Sequence, residues 1–344
     1  MTERTHAASP AGRTAGPPAA AEFVPCPLCG GRRSRAVAVK FGLRIVRCRK
    51  CGHVFANPRL PQSEVETRYE SPEFFSEYLE AHKAAPDGYD LEFLRGHYGL
   101  YLDLIGGRMP PGGRLLDVGC GAGFFIKAAE AAGWTAEGTE ISRRLTGYAR
   151  EVVGATVHLG RLEELRFAPG TFDIITLFDV LEHVPNPRGT MIEIRRLLKR
   201  GGLVVVSTPD YGSLSRVFLG KPWAVLSPAE HLSLFTSRTL RALIEQAGLS
   251  VLGIRNLLVF NPDYTHRKGL RHSLWRGLHG RLVRGRLAAR LQDFEQRQAS
   301  AIGPVDPAKG AAPGTFKKVR SRLYMKSRNL LRGDILVALA ERKA

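Results

Sequence analysis

Arg114-Leu-Leu-Asp-Val-Gly-Cys-Gly-Ala-Gly-Phe124 decides the fold. Two apolar residues, Leu115 and Leu116, lead into Asp117, and glycines follow at positions 119, 121 and 123. The pattern predicts a buried strand ending in a tight turn, where a ligand meets bare backbone. Onward from there the chain alternates strand and helix patterns, which predicts a doubly wound α/β sheet. Strands are expected over 113–120, 135–141, 156–159, 172–180, 203–208 and 251–260. Helices are expected over 125–132, from Ser142 to about Val153, from Asn186 or Pro187 to the Gly201-Gly202 pair, and over 237–247.

Two cofactor classes compete for the glycine turn. A dinucleotide site uses G-x-G-x-x-G and rests a pyrophosphate on a helix N-terminus. Here the pattern is G-x-G-x-G, and Phe124 stands where the last small residue belongs. Asp117 would also set a negative charge against a pyrophosphate. S-adenosylmethionine (SAM) has no phosphate and carries an ammonium and a sulfonium, so a nearby carboxylate favours it. Glu140 comes 19 residues after Gly121, where a carboxylate can accept both ribose hydroxyls. The expected SAM contacts in the turn are Asp117, Gly119, Cys120, Gly121 and Gly123. Glu140, Ile141 and the backbone near Phe178 complete them.

Four of the five cysteines form two pairs, Cys26-Pro-Leu-Cys29 and Cys48-Arg-Lys-Cys51, each followed by glycine. Two such knuckles at this spacing predict a zinc ribbon over 22–60. Four thiolates leave no open coordination position, so Zn²⁺ here is expected to be structural. Its removal is expected to unfold 22–60 and spare the cofactor site. Disulfide or redox pairs are the competing reading, which a cytoplasmic setting disfavours.

With 344 residues and 44% hydrophobic content, the chain can bury a large core. No apolar run approaches the roughly 20 residues that span a bilayer. Residues 1–21 are rich in Ala, Pro, Thr and Gly, and read as a disordered leader. The expected location is cytoplasmic. Net charge is +19, and residues 265–344 hold 19 of the 51 Lys and Arg but only 5 of the 32 Asp and Glu. Leu278, Leu282, Leu287, Leu291 and Phe294 share one helical face there, among arginines. Basic amphipathic helices suit an anionic membrane surface, which would make the protein peripheral to a membrane. They also suit RNA phosphates, or a solvated face with the apolar stripe packed on the core.

Asp117-Val-Gly-Cys-Gly-Ala-Gly123, Glu140, Phe172-Asp-Ile-Ile, Asp179-Val-Leu-Glu-His-Val184 and Gly201-Gly-Leu-Val-Val-Val-Ser resemble the successive motifs of class I SAM-dependent methyltransferases. Glu230-His-Leu-Ser-Leu-Phe-Thr236 and Ala247-Gly-Leu249 are similar to the ubiquinone-pathway O-methyltransferase subgroup. The cysteine pairs resemble the zinc-binding module fused to many bacterial methyltransferases, sugar C-methyltransferases among them, whose third-domain pattern is not evident. The resemblance implies a seven-stranded Rossmann-like methyltransferase sheet over 111–344, with a last antiparallel strand at 333–343. Residues 261–332 then become a basic helical insertion before that strand, and 61–110 a helical linker or lid. The lid would carry Tyr69, Phe74, Phe75 and Tyr78. The resemblance also places Arg161, Leu162 and Glu163 at the adenine.

The sulfonium methyl is already activated, so the enzyme mainly supplies alignment, exclusion of water and, for some acceptors, a base. His183 and His231 follow strands whose ends face the cofactor. His231 is the expected general base, and a histidine that hydrogen-bonds a helix start and orders the lid is the competing reading. For His183, a structural role in the turn before Pro185 competes. Asp179, Glu182 and His183 form a D-x-x-E-H group that could hold Mg²⁺. The aromatic loop over 211–235, with Tyr211, Phe218, Trp223 and Phe235, is the expected acceptor site. The expected function is methyl transfer to a small-molecule, glycan or lipid-linked acceptor, with O-methylation favoured. An RNA methyltransferase and a non-catalytic SAM-binding scaffold are the alternatives. The fourth strand lacks the N/D-P-P-Y turn used on exocyclic base nitrogens.

Overall fold

The computed structural model describes residues 21–40, 42–213, 216–217, 223, 225–257 and 334–343. The leader, apart from its last residue, the basic insertion over 261–332 and Phe218 lie outside the described residues.

Three short strands come first: β1 (Ser34–Lys40), β2 (Leu43–Cys48) and β3 (Val54–Ala56). Three helices follow: α1 (Gln62–Tyr69), α2 (Pro72–Ala81) and α3 (Leu91–Gly106). The alternating part runs β4 (Arg114–Val118), α4 (Phe124–Glu130), β5 (Thr135–Glu140), α5 (Arg143–Tyr148) and β6 (Val157–Leu159). A π turn over Ala149–Val153 extends α5. Then come β7 (Phe172–Phe178), α6 (Pro187–Leu197), β8 (Leu198–Pro209) and β9 (Ser233–Leu234). α7 (Ser237–Gln246), β10 (Ser250–Leu257) and β11 (Ile335–Glu341) complete the chain.

Seven strands form one sheet in the order β10-β11-β8-β7-β4-β5-β6. β11 lies antiparallel to both neighbours, while the pairings among β8, β7, β4, β5 and β6 are parallel. The antiparallel last strand expected from the resemblance is thus present. Parallel strands covered on both faces need apolar residues pointing both ways. Leu115, Ile174, Leu203 and Val205 enter one core with α3, α4 and α5. Their chain neighbours Leu116, Ile175, Val204 and Val206 enter the other with α6 and α7.

Local signals set most boundaries. Ser142 caps α5 by accepting from Leu145 N–H at 3.3 Å. Asn186 caps α6, with Pro187 as its first residue. The Gly201-Gly202 pair does not end α6, contrary to expectation. The helix stops at Leu197, and β8 begins at the fully buried Leu198, which pairs with Phe172. The glycines instead form an irregular stretch inside the strand. Gly201 has φ +75° and donates to Arg342 O at 2.7 Å. A Cβ at Gly202 would meet Lys199 O at 2.9 Å.

The N-terminal strands do not stand apart. β3 pairs antiparallel with β9, so a four-stranded sheet β1-β2-β3-β9 reaches into the loop that follows β8. Val46 and Phe55 enter the α6–α7 core, together with Cys26, Leu28 and Cys48. Ile45 and Val54, one residue out of phase, pack instead on Tyr211, Trp223, Val225 and Leu226. β2 and β3 therefore bury both faces, while β1 stays largely exposed. Phe235 is fully buried at the junction, 5.0 Å from the His53 ring. Phe235→Ala should cost about 3–5 kcal/mol of stability, measured by denaturant unfolding, because the cavity opens where both parts of the core meet.

Candidate active site

The carboxyl ends of β4 and β7 lie at the point where strand order reverses, the position at which open α/β sheets form their ligand crevice. After β4 the chain turns through Gly119, Gly121 and Gly123, at φ +66°, +56° and +75°. That left-handed backbone favours glycine. Space demands it too, since a Cβ at Gly119 would lie 2.6 Å from Val180 Cγ2 and one at Gly121 would collide with the Tyr78 hydroxyl. Ala122 N–H donates to that hydroxyl at 3.4 Å. Tyr78, on α2, thus lies directly over the turn.

Asp117 is buried and accepts from Thr176 Oγ1 at 2.6 Å. Burial pushes its carboxyl up to about 7, the Thr176 bond opposes this, and Glu140 adds to the rise. Glu140 is also buried, and burial raises its pKa against three opposing N–H bonds. Its carboxylate accepts from Gly121 at 2.9 Å, Ile141 at 2.7 Å and Ser142 at 2.8 Å. It therefore ties the glycine turn to the end of β5. Neither carboxylate pairs with a Lys or Arg among the described residues. Two buried carboxylates without a protein cation fit a cationic ligand such as SAM, and oppose a pyrophosphate.

A cleft of about 580 Å³ opens at the ends of β5 and β6, against α1. Tyr69, Ile141, Leu159, Gly160 and Arg161 are among its walls. Leu162 and Glu163, expected at the adenine, turn their side chains elsewhere. Leu162 is in the core, and Glu163 accepts from Thr190 Oγ1 at 2.7 Å. Arg161 reaches the cleft and pairs with Glu66 of α1. A smaller cavity of 180 Å³ lies by Asp103, Arg108, Leu252 and Leu339, where no expected site residue reaches it. The Phe178 ring faces the Tyr101, Phe125 and Tyr98 rings, at 4.2, 4.7 and 6.4 Å. Cys120 is buried, and burial raises its thiol well above the usual range.

On the other side of the crevice the chain leaves β7 through Asp179, a non-glycine residue at φ +54°. Such strain collects at functional sites. Asp179 is tied to Ser207, whose hydroxyl donates to it at 3.1 Å. Glu182, His183 and His231 bring their ligand atoms within 4.8 Å of one another, and Asp179 is not in that group. The D-x-x-E-H set expected for Mg²⁺ therefore does not assemble. One carboxylate with two imidazoles is a nitrogen-rich donor set, which Mg²⁺ does not favour.

The histidine rings lie 4.8 Å apart, near edge-to-face. His231 Nδ1 contacts Val225 O at 2.6 Å, and His183 Nδ1 contacts Glu230 O at 3.0 Å. A carbonyl only accepts, so Nδ1 carries the proton in both rings and Nε2 keeps its lone pair. The Tyr69 hydroxyl, 3.1 Å from His183 Nδ1, shares that proton. Burial lowers His231, and burial with the neighbouring His231 takes His183 down to about 3. Both imidazoles are neutral at neutral pH. Glu182 is buried; Thr208 donates to its Oε2 at 3.0 Å, and its Oε1 has no partner. The expected acceptor-lining aromatics Tyr211, Trp223 and Phe235 are buried and spent on packing.

The cysteines assemble as the spacing predicts. Cys26 and Cys51 Sγ lie 3.5 Å apart, and Cys29 and Cys48 Sγ 3.6 Å. A tetrahedral site with Zn–S near 2.3 Å has S–S edges of about 3.8 Å, so the donor set fits Zn²⁺. The knuckles match in detail. Gly30 N–H returns to Cys26 O at 2.8 Å and Gly52 N–H to Cys48 O at 3.0 Å, both glycines at positive φ. Burial raises the Cys48 thiol, but N–H groups of Cys51 and Lys50 outweigh it and bring it to about 7.

Residues 91–253 match the methyltransferase domain family. With the sheet order above, this defines a class I SAM-dependent methyltransferase domain. Its curated relatives include ubiquinone biosynthesis O-methyltransferases. The Methylococcus capsulatus enzyme is 37% identical over 130 residues, covering 36% of this chain and 54% of that protein. That of Cereibacter sphaeroides is 33% identical over 160 residues, covering 43% and 64%. The chain spans about half the length of the first curated relatives it matches. A solved SAM-dependent methyltransferase from Thermotoga maritima is 18% identical, with a TM-score of 0.48 over 81% of this chain and 100% of that one.

Among the described residues no helix is long and apolar enough to cross a membrane. Sequence reasoning overlooked Thr176 and Ser207, although a hydroxyl inside an apolar strand was a readable signal. It also overlooked Val225. Asp117 must ionise to favour a cationic cofactor, so affinity for SAM should rise with pH through about 7. Calorimetric titration from pH 6 to 8 checks this, and Asp117→Asn should flatten the trend.

Proposed function

We propose that this protein transfers the methyl group of SAM to a hydroxyl of a small-molecule acceptor, with His231 as general base. The observation that carries the reading is the free Nε2 of a half-buried, neutral imidazole whose Nδ1–H is held by Val225 O. It lies in the loop between β8 and β9. When bound, SAM supplies a methyl already activated on sulfur. Asp117 holds the cationic end of that ligand, and Glu140, Gly119 and Gly121 shape its seat. Ile141 and Arg161 flank the adenine.

His231 Nε2 takes the hydroxyl proton as the acceptor oxygen bonds to the methyl carbon and the carbon–sulfur bond breaks. His183 packs edge-on against His231 and fixes its plane. Oxygen is favoured as the acceptor atom because the curated relatives are O-methyltransferases by name. A glycan or lipid-linked compound bearing a free hydroxyl meets the same requirement. Zn²⁺ on Cys26, Cys29, Cys48 and Cys51 is structural, since four thiolates close its coordination shell.

His231→Gln should lower kcat by about 10²- to 10⁴-fold while leaving S-adenosylhomocysteine binding intact. In the parent enzyme the rate should stay level through neutral pH. At saturating SAM, where the Asp117 effect on affinity drops out, it should fall only as pH drops through the lowered pKa of His231, below 6.5. Radiolabelled methyl transfer from SAM into fractionated extract identifies the acceptor. Label in small molecules or lipid supports the reading. Label in RNA, or cofactor binding with no label anywhere, would replace it with an RNA methyltransferase or a non-catalytic scaffold.

A further inference from the structure

The zinc ribbon is bonded to the loop that carries His231 and to the turn that carries His183. β3 pairs with β9 through Val54↔Leu234 and Phe55↔Ser233, and Ala56 N–H donates to Leu232 O at 3.0 Å. β9 begins two residues after His231. Ser233 N–H donates to Glu182 O at 3.0 Å, so this strand also holds the turn that carries His183. Buried His53, two residues beyond the second knuckle, places Nε2 3.2 Å from Ser233 Oγ. Arg238, in the first turn of α7, donates to Cys51 O at 2.8 Å. Arg59, at the end of the ribbon, donates to Pro185 O at 3.1 Å, two residues beyond His183.

The other face of the ribbon supports the same region. Ile45 and Val54 pack on Val225 and Leu226, and Val225 O is the acceptor that sets the His231 tautomer. Lys40 Nζ donates to Trp223 O at 3.4 Å. The cofactor turn has different supports: Thr176, Glu140 and Tyr78. β3 has only three residues and β9 two. A ladder that short has little stability of its own and needs its neighbours fixed. The knuckle immediately before β3 fixes one side of it.

We propose that the ribbon is the positioning element of the acceptor side. Metal held by its four cysteines fixes β3, and β3 fixes β9, His231 and the Glu182–His183 turn, without acting on the cofactor seat. The proposal rests on His231 belonging to the acceptor site. Its test reads the geometry of the loop rather than methyl transfer, so the two ideas fail separately.

The full-length protein would be compared as zinc-loaded, chelator-stripped and zinc-reconstituted samples. Amide exchange at Ala56, whose N–H bonds Leu232 O, and at Ser233 and Leu234 should rise about tenfold or more on stripping and return with zinc. The His231 imidazole nitrogen resonances should lose their fixed Nδ1–H pattern in the same sample. Exchange at Cys120, whose N–H bonds Thr139 O, should hold, as should affinity for S-adenosylhomocysteine. Unchanged exchange at Ala56, Ser233 and Leu234 would overturn the proposal. So would parallel loss of ligand binding and Cys120 protection, because zinc would then support the whole fold. Arg238→Ala provides a milder cut in zinc-loaded protein, since it removes only the bond to Cys51 O. It should shift the His231 resonances and leave S-adenosylhomocysteine affinity alone; unmoved resonances would count against the ribbon's role.

Discussion

The parallel pairing of β4 with β7 is the constraint on which the crevice depends. Its register sets Leu115 against Ile174, Leu116 against Ile175 and Asp117 against Thr176. The first two pairs send apolar side chains into both cores, so the register cannot slip by one residue without turning every one of them over. Fixed in this way, Asp117 receives the Thr176 hydroxyl at 2.6 Å deep between the layers. The chain then leaves the two strands in different directions. One exit is the glycine turn and the other is the strained Asp179 turn. The space between them is a consequence of the strand order, and the side chains only decide what it can hold.

Each exit is braced by groups of its own. Glu140 draws the glycine turn to β5 through three backbone N–H bonds. Ser207 draws the Asp179 turn to β8. The histidine pair has a less direct support, because His231 arrives on a loop whose order comes from β9. That strand is too short to persist without the ribbon on one side and Glu182 on the other. The N-terminal module thus belongs to the same structure as the catalytic half, both in its shared core and in its hydrogen bonds.

Much of this was legible in the sequence because local chemistry decides it. The glycine turn, the cap at Ser142, the start of α6 at Asn186-Pro187 and the two cysteine knuckles follow from spacing alone. The errors share a cause, since each concerned what a residue meets far along the chain. Gly201-Gly202 reads as a helix stop, but the partner of Leu198 is Phe172, and pairing won over local punctuation. Tyr211 and Trp223 read as a ligand wall because nothing in a sequence says which surface covers an aromatic ring; here it is the ribbon. Asp179 read as a third metal ligand beside Glu182 and His183. The positive φ at Asp179 and its Ser207 bond direct it away, and His231 takes its place.

The two sides of the crevice differ in the sign of charge that they reject. Burial raises Asp117 and Glu140, so that side resists an added negative charge and welcomes a cation. Burial lowers His183 and His231, so that side resists a positive charge before the reaction begins. On the proposed chemistry this difference has a use. A sulfonium bound near Asp117 would repel an imidazolium across the crevice, and a protonated histidine could not act as a base. Methyl transfer makes the sulfur neutral and releases one proton from the acceptor, so a single positive charge moves from one side to the other. His231 receives it as the charge on sulfur is lost. Glu182 belongs to the same cluster, with its unpartnered Oε1 4.0 Å from His183 Nε2 and its own pKa raised by burial and by Asp179. Proton arrival at His231 is thereby coupled to loss of charge at sulfur, with a pair of environments that each tolerate the cation at a different stage.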